Sequence, residues 1–285
     1  MRLMLMTGAL VALLGASAVQ ADTLDISIDA QGAAYNNLVA DAKLRGDSGL
    51  ADANLGTGSG GSNRYYANFL PDGTTQTTRG MTTFVQRFDV SGIPAGSTIN
   101  SATLTQYFAN QTANNRTFVN LKLSQLRPER GWIEGVGQAP ATDGSVTWNS
   151  QRSNANPPPS VPWGAPGARD ASDIFLGTTQ TFDLVGVDGA ATQVDRDITA
   201  FVQDWVNNPA NNTGLLWWGG NSADSDIGNR YFHFGTKEDG AGPASDAVAA
   251  APRLLINYTP VPEPGAAALF AAASLTLIAR RRQRS

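Results

Sequence analysis

The stretch FVQRFDVSGIPAGSTINSATLTQY, from Phe84 to Tyr107, decides the fold class. Near its end, Leu104, Gln106 and Phe108 alternate with more polar neighbours, and a period of two is typical of a half-buried β-strand. Upstream, the segment Pro94-Ala95-Gly96 has the composition of a tight turn. The stretch therefore predicts two strands joined by a turn, which is the repeating unit of an antiparallel sheet.

The same pattern of short apolar stretches between turn residues continues in both directions along the chain. It predicts nine strands: Leu24–Asp29, Ala40–Arg45, Thr82–Asp89, Ser101–Ala109, Thr117–Gln125, Thr181–Leu184, Gly214–Trp218, Tyr231–Thr236 and Arg253–Tyr258. Apolar residues at helical spacing predict one amphipathic helix at about 199–207. Residues 135–175 read as a long surface excursion in which Trp148 and Trp163 are buried. We expect an all-β, jelly-roll-like β-sandwich with one short amphipathic helix.

The N-terminus has the composition of a signal peptide. Arg2 precedes an apolar run, and small residues lead up to Ala21, where signal peptidase would cleave. This predicts a signal peptide over 1–21 and an exported domain over 22–260. An N-terminal membrane anchor is the alternative, although the run is short for a membrane span.

The C-terminus has three parts: the box Pro262-Glu263-Pro264, a run of small and apolar residues over 265–279, and four arginines within the last six residues. The tail 261–285 resembles a PEP-CTERM sorting signal. The resemblance implies recognition by an exosortase-type membrane protease in a Gram-negative bacterium, with transient anchoring in the inner membrane. It also implies a final location at the outer surface or in the extracellular matrix, in association with polysaccharide. An ordinary C-terminal tail anchor is the alternative.

The charge balance excludes one class of partner. Residues 22–260 hold 15 of the 20 Lys and Arg residues and 23 of the 24 acidic residues, which leaves a net charge of −8. An acidic domain has no electrostatic attraction for nucleic acid. The chain has no cysteine, so it has neither a thiol nucleophile nor a cysteine metal site.

Several motifs through the core resemble the DNRLRE family of extracellular domains. Besides the stretch 84–107, they are ADAKLR at 40–45, NLG at 54–56, WIEG at 132–135, VTWN at 146–149, DIT at 197–199, NTGLL at 212–216 and PRLLI at 252–256. The resemblance implies a jelly-roll-like β-sandwich that is not itself an enzyme. Related domains are carbohydrate-binding modules attached to polysaccharide-degrading enzymes.

Aromatic and hydrogen-bonding side chains are the candidates for sugar contact, because a pyranose has apolar faces and polar edges. Trp217 and Trp218 are adjacent in a predicted strand and should point to opposite faces, which would leave one of them exposed. Arg230 could pair with a uronate carboxylate. The remaining candidates lie in polar segments: Asn221, Tyr65 and Tyr66.

Acidic residues are candidates for a structural calcium ion, since Ca²⁺ prefers oxygen ligands. We assign Asp41 and Glu238 to this site, and the alternative is that these residues form ordinary solvated turns. Two further acidic segments, at 224–226 and at Asp239, are weaker candidates. No cofactor other than calcium is expected.

Catalysis has little support in the sequence. The single histidine, His233, lies in a predicted strand, which disfavours a Ser-His-Asp triad. Glu129, Glu134, Glu238 and Asp239 could supply paired carboxylates for glycoside cleavage. We therefore expect a non-catalytic, exported surface or matrix protein that contacts polysaccharide, with an acidic glycan as one candidate. The alternatives are a structural surface protein that acts through protein–protein contacts and a secreted polysaccharide-cleaving enzyme.

Overall fold

The computed structural model of the protein describes residues 20–46, 49–56, 64–66, 82–109, 116–135, 141, 144–153, 160–187, 192–222, 231–239 and 251–261. The predicted sorting motif Pro262-Glu263-Pro264 and residues 1–19 of the predicted signal peptide lie outside these ranges. Within them, no helix is long and apolar enough to cross a membrane.

The chain is built mainly from strands. The strands are β1 (Asp22–Ile26), β2 (Val39–Arg45), β3 (Arg64–Tyr66), β4 (Thr82–Phe88), β5 (Thr98–Ala109), β6 (Arg116–Gln125), β7 (Ser150–Arg152), β8 (Val161–Pro162), β9 (Gln180–Val187), β10 (Thr192–Asp197), β11 (Leu215–Ser222), β12 (Tyr231–Phe234) and β13 (Arg253–Thr259). The α-helices are α1 (Ile28–Gln31), α2 (Tyr35–Leu38) and α3 (Thr199–Asn207), and 3₁₀ turns occupy Gly32–Ala34, Leu176–Thr178 and Pro209–Asn211.

Two antiparallel sheets form a sandwich. Sheet I has the order β1-β13-β5-β12-β3. The long strand β5 also pairs with β10, along the edge opposite to the one shared by β13 and β12. Sheet II has the order β2-β4-β11-β6-β9, and β7 and β8 form a separate small hairpin. The chain passes repeatedly from one sheet to the other, as in a jelly roll. The predicted fold class, an all-β sandwich, is confirmed.

All nine predicted strands are present, with ends that differ by a few residues. Four strands were missed: β3, β7, β8 and β10. β10 reads TQVDRD and alternates between half-buried and exposed positions, so its apolar signal is weak. The predicted helix is confirmed as α3, and the Asp197 carboxylate accepts hydrogen bonds from the Thr199 amide at 2.9 Å and from its hydroxyl at 2.6 Å.

The inner core lies between the two sheets and is rich in aromatic rings. Phe84 of sheet II stacks on Phe234 of sheet I, with ring centroids 4.3 Å apart. The Trp217 ring makes edge contacts with Phe108 at 5.9 Å and with Phe234 at 5.4 Å. These contacts join the sheets directly, since Trp217 belongs to β11 and Phe108 to β5.

A second core covers the outer face of sheet II. Leu44, Val85 and Leu216 contribute the sheet side of this core. The segment between β6 and β9 contributes the covering side, including Trp132, Trp148, Trp163 and Ile174. The predicted burial of Trp148 and Trp163 is confirmed, at 7% and 5% exposure. Sheet II is consequently covered on both faces along β2, β4 and the start of β11, and every residue of β4 except Arg87 is buried.

The covering segment packs closely against the segment after β2 at Gly135. Gly135 has a φ of +76°, and a Cβ there would lie 2.3 Å from the Ser145 Cβ. The Asn54 amide donates to the backbone carbonyls of Glu134 and Val146, the latter at 2.8 Å. The motifs NLG, WIEG and VTWN therefore meet at one place, where only glycine fits at position 135.

We expect alanine substitutions of the two adjacent tryptophans of β11 to lower the free energy of unfolding by different amounts. Trp217→Ala should lower the free energy of unfolding by about 3–5 kcal/mol, because it empties a fully buried site between the sheets. Trp218→Ala should cost less, about 1–2 kcal/mol, because part of its ring already contacts water. Urea unfolding of both variants measures the difference, and equal costs would contradict the assignment of the rings to two unequal environments.

Candidate functional site

Three carboxylates from separate parts of the chain come together at the edge of sheet II. Asp41 lies on β2, Glu134 follows the second-core residue Trp132, and Glu238 follows β12. Oxygen atoms of these three side chains all lie within 4.8 Å of one another. We call Asp41, Glu134 and Glu238 the carboxylate cluster.

Local hydrogen bonds hold each member of the cluster in place. An oxygen of the buried Asp41 carboxylate accepts the Lys237 amide at 2.8 Å, which places the following residue, Glu238, beside it. The turn is closed by Asp239, whose carboxylate accepts the Thr236 amide at 2.8 Å. Asn54 holds the backbone of Glu134, as described for the second core.

Lys237 is a cation in contact with the cluster. The Lys237 ammonium forms an ion pair with Glu134. The pKa of Asp41 is raised well above its ordinary value, first by burial and then by the charge of Glu238, whereas the Lys237 amide acts in the opposite direction. Within the cluster, the repulsion felt by Asp41 thus comes mainly from Glu238.

A neutral phenol lies close to the cluster. The Tyr35 hydroxyl is buried and donates to the Pro252 carbonyl at 2.6 Å. The pKa of Tyr35 is raised by burial and, to a smaller extent, by the charges of Asp41, Glu238 and Asp239. Tyr35 therefore adds no charge near physiological pH and leaves the negative potential of the carboxylates intact.

This chemistry fits a hard cation. Ca²⁺ takes oxygen ligands at 2.3–2.6 Å and readily accepts carboxylates from several chain segments. Asp41, Glu134 and Glu238 would hold such an ion, and its charge would offset the burial and the repulsion from Glu238 that raise the pKa of Asp41. The predicted ligands Asp41 and Glu238 are brought together here, and Glu134 joins them as a third.

A groove lies beside α3 at one end of the sandwich. It has a volume of about 560 Å³ and is lined by α2 and the start of β2, the end of β4 with the turn that follows, α3, and the segment after it. Arg87, Trp205 and Asn212 are among its lining residues. The Arg87 guanidinium also lies 5.3 Å from the centre of the Trp132 ring.

Arg87 lines the groove and also interacts electrostatically with Glu134 of the carboxylate cluster. Partial burial lowers the pKa of Arg87, and the negative charges of Asp89 and Glu134 act in the opposite direction. Asp89 lines the groove, whereas Glu134 belongs to the cluster. The cation of the groove wall, Arg87, therefore has two acidic neighbours, Asp89 and Glu134.

The β11 tryptophans are not the exposed platform that the sequence predicted. They do point to opposite faces, but Trp217 is fully buried in the inner core and cannot contact a sugar. Trp218 is half-buried against the second core, with its Nε1 donating to the Ser124 hydroxyl at 2.9 Å. The Lys122 ammonium lies 4.4 Å from the centre of the Trp218 ring. Trp218 is half-buried because the covering segment lies over the face of sheet II that was expected to be open.

The other predicted sugar contacts are spread over different places. Tyr65 and Tyr66 lie on β3, paired with β12, and not in a loop. Asn221 also lies within a strand, opposite Val119 of β6. Arg230 and the acidic segment 224–226 lie outside the described residues. His233 lies on β12 as predicted, opposite Arg64.

Sequence reasoning missed Glu134 as a partner of Asp41, and it missed the groove. The WIEG motif offered a signal, because a glycine forced into positive φ after a buried tryptophan fixes the intervening glutamate in space. The groove has no motif, since its walls come from four separate segments.

Comparison with known proteins adds no relative. No protein-family model matches the chain, and no curated protein matches it at a significant level.

The raised pKa of Asp41 gives a testable dependence of stability on pH. The folded protein holds this proton to a higher pH than the unfolded chain, whose aspartates titrate near 3.8. In a chelating buffer, Asp41 should therefore make the free energy of unfolding fall as pH rises above about 4, with a slope of at most about 1.4 kcal/mol per pH unit.

Asp41→Asn should remove this contribution, because the amide keeps an oxygen for the Lys237 N–H and carries no charge. Urea unfolding from pH 4 to pH 8 measures the slope. Asp29→Asn, an exposed aspartate outside the cluster, is the matched control. Identical slopes in wild type and Asp41→Asn would show that Asp41 does not titrate in this window.

Proposed function

We propose that the chain is an exported, non-catalytic protein of the bacterial surface that contacts polysaccharide and binds a stabilising Ca²⁺. The observation that carries the calcium part of the proposal is the convergence of Asp41, Glu134 and Glu238 within 4.8 Å. Three acidic side chains on three chain segments are suited to holding a cation that fastens those segments together.

The same geometry disfavours polysaccharide cleavage at these carboxylates. Glycoside hydrolysis needs an acid and a second carboxylate on either side of the scissile bond, in an open cleft. Asp41 is only 2% exposed, and Glu134 is engaged by Lys237. Glu129 is exposed, but it is not part of the cluster.

The surface location and the polysaccharide partner rest on the sequence. The N-terminal segment ending at Ala21 and the tail with Pro262-Glu263-Pro264 support export and sorting, with signal peptidase and an exosortase-type protease as processing partners. The motifs that resemble DNRLRE domains support a carbohydrate-binding role. The net charge of −8 over residues 22–260 disfavours nucleic acid as a partner.

Calcium should stabilise the protein, because an ion bound only by the folded state shifts the folding equilibrium. At 100 times its dissociation constant the gain is about 2.7 kcal/mol. Thermal melts in EDTA and in CaCl₂ measure the gain. Glu134→Gln should reduce it strongly, since it removes one carboxylate and keeps the side-chain size.

Glu129→Gln is the matched control, because it makes the same change on an exposed glutamate outside the cluster. It should respond to calcium like the wild type. Melts that are identical in EDTA and CaCl₂ would rule out the ion and leave the acidic-turn interpretation.

Polysaccharide contact is tested on a glycan array with the purified protein. We expect retention on at least one class of bacterial polysaccharide and no release of new reducing ends when that polysaccharide is incubated with the protein. An array without any retained glycan would favour the structural alternative with protein partners. New reducing ends would identify a polysaccharide-cleaving enzyme.

A further inference from the structure

We propose that the groove beside α3 is the saccharide-binding site of this protein. The inference rests on the proposed polysaccharide contact and gives it a location. The site differs from the one expected on β11, and its walls include Asn37, Arg87, Trp205, Val206 and Asn212.

The first reason is an indole N–H without a partner. Trp205 is 1% exposed, and its Nε1 has no hydrogen-bond partner among the described residues. Other tryptophans of the chain have theirs: the Nε1 atoms of Trp132, Trp163, Trp217 and Trp218 donate at 2.8–3.2 Å. A buried donor left unpaired is unfavourable, because it has given up its hydrogen bond to water. Trp205 Nε1 is therefore a buried donor next to the groove wall, and a bound molecule supplies its acceptor once a side chain of that wall shifts to admit it.

The second reason is an acceptor without a partner on the same groove. The amide nitrogen of Asn212 donates to the Phe88 carbonyl at 2.8 Å, which fixes the orientation of the side chain. Its Oδ1 is buried and has no hydrogen-bond partner among the described residues. Asn212 therefore lacks a donor.

Hydroxyl groups can supply both the acceptor that Trp205 lacks and the donor that Asn212 lacks. A hydroxyl group both donates and accepts, so a molecule with neighbouring hydroxyls can accept from Trp205 Nε1 and donate to Asn212 Oδ1. The groove also has apolar surface from Leu38, Pro94 and Pro209, which suits the C–H face of a sugar ring. Its volume of about 560 Å³ falls in the usual range for small-ligand sites.

Arg87 extends the recognition at one wall. Among the described residues, its guanidinium has no carboxylate within ion-pair distance, and Arg87 is one of the residues that line the groove. A guanidinium has five N–H donors. These donors can bind sugar hydroxyls or the carboxylate of a uronic acid, and the two sources share the same hydrogen-bonding chemistry. Neutral and uronic-acid oligosaccharides therefore form the two arms of the test.

The main test blocks the groove at its exposed rim. Asn37 and Asn36 are adjacent, exposed residues of α2, but only Asn37 lines the groove. Asn37→Trp should weaken binding of the oligosaccharides retained by the wild type at least about tenfold in calorimetric titration, because the ring occupies the groove. Asn36→Trp introduces the same ring outside the groove and should bind like the wild type.

A second test reads the unpaired indole directly. The chain has six tryptophans, and each contributes one indole N–H signal to a ¹H–¹⁵N correlation NMR spectrum. The signal missing in Trp205→Phe belongs to Trp205. In the wild type, this signal should move downfield as the oligosaccharide is added, because its N–H gains an acceptor.

The outcomes separate the site from the function. If the wild type binds oligosaccharide and Asn37→Trp binds it equally well, the groove is wrong and the polysaccharide contact stands. If the Trp205 signal stays unchanged at saturation, the groove holds only water and the proposal also fails. If the wild type binds neither neutral nor uronic-acid probes, both the groove and the proposed polysaccharide contact are overturned.

Discussion

Burial of both faces of sheet II is the constraint on which the remaining arrangement depends. A strand alternates its side chains between two faces, so a sheet with one open face should have a polar side. In β11, however, Leu215 and Trp217 enter the inner core while Leu216 and Trp218 meet the second core. The segment between β6 and β9 makes this possible, because its tryptophans supply the apolar surface that the outer face needs.

The same covering segment creates the carboxylate cluster. Trp132 is buried in the second core and donates to the Thr213 carbonyl at 2.8 Å, which fixes the chain just before Glu134. Gly135 then turns the backbone in a conformation that other residues rarely adopt. Glu134 is consequently held beside Asp41 on the edge strand β2, where a free loop would have moved away from the like charge. The packing of the covering segment thus keeps Glu134 beside Asp41 against their electrostatic repulsion.

The sequence predicts local patterns well and contacts between distant segments poorly. The period of two in β5 and the helical spacing from Ile198 to Val206 gave strands and a helix that the structure confirms, because both depend on neighbours in the chain. The environment of Trp218 depended on which segment covers sheet II, and no local pattern contains that information. The third member of the carboxylate cluster was missed for the same reason, since Glu134 and Asp41 are 93 positions apart.

A sheet covered on both faces leaves little of its surface for a ligand, so the ends and edges of the sandwich are the places where a ligand would fit. The groove beside α3 lies at such an end, where the helix, the start of β2 and the turn after β4 meet without filling the space. A water-filled gap would serve the unpaired atoms of Trp205 and Asn212 only if water were held there by enough partners. A sugar hydroxyl supplies the same hydrogen bonds and adds contact between its ring and the apolar wall. The proposed saccharide would therefore have an advantage over water in the groove, whereas Trp217, sealed between the sheets, offers a ligand no contact.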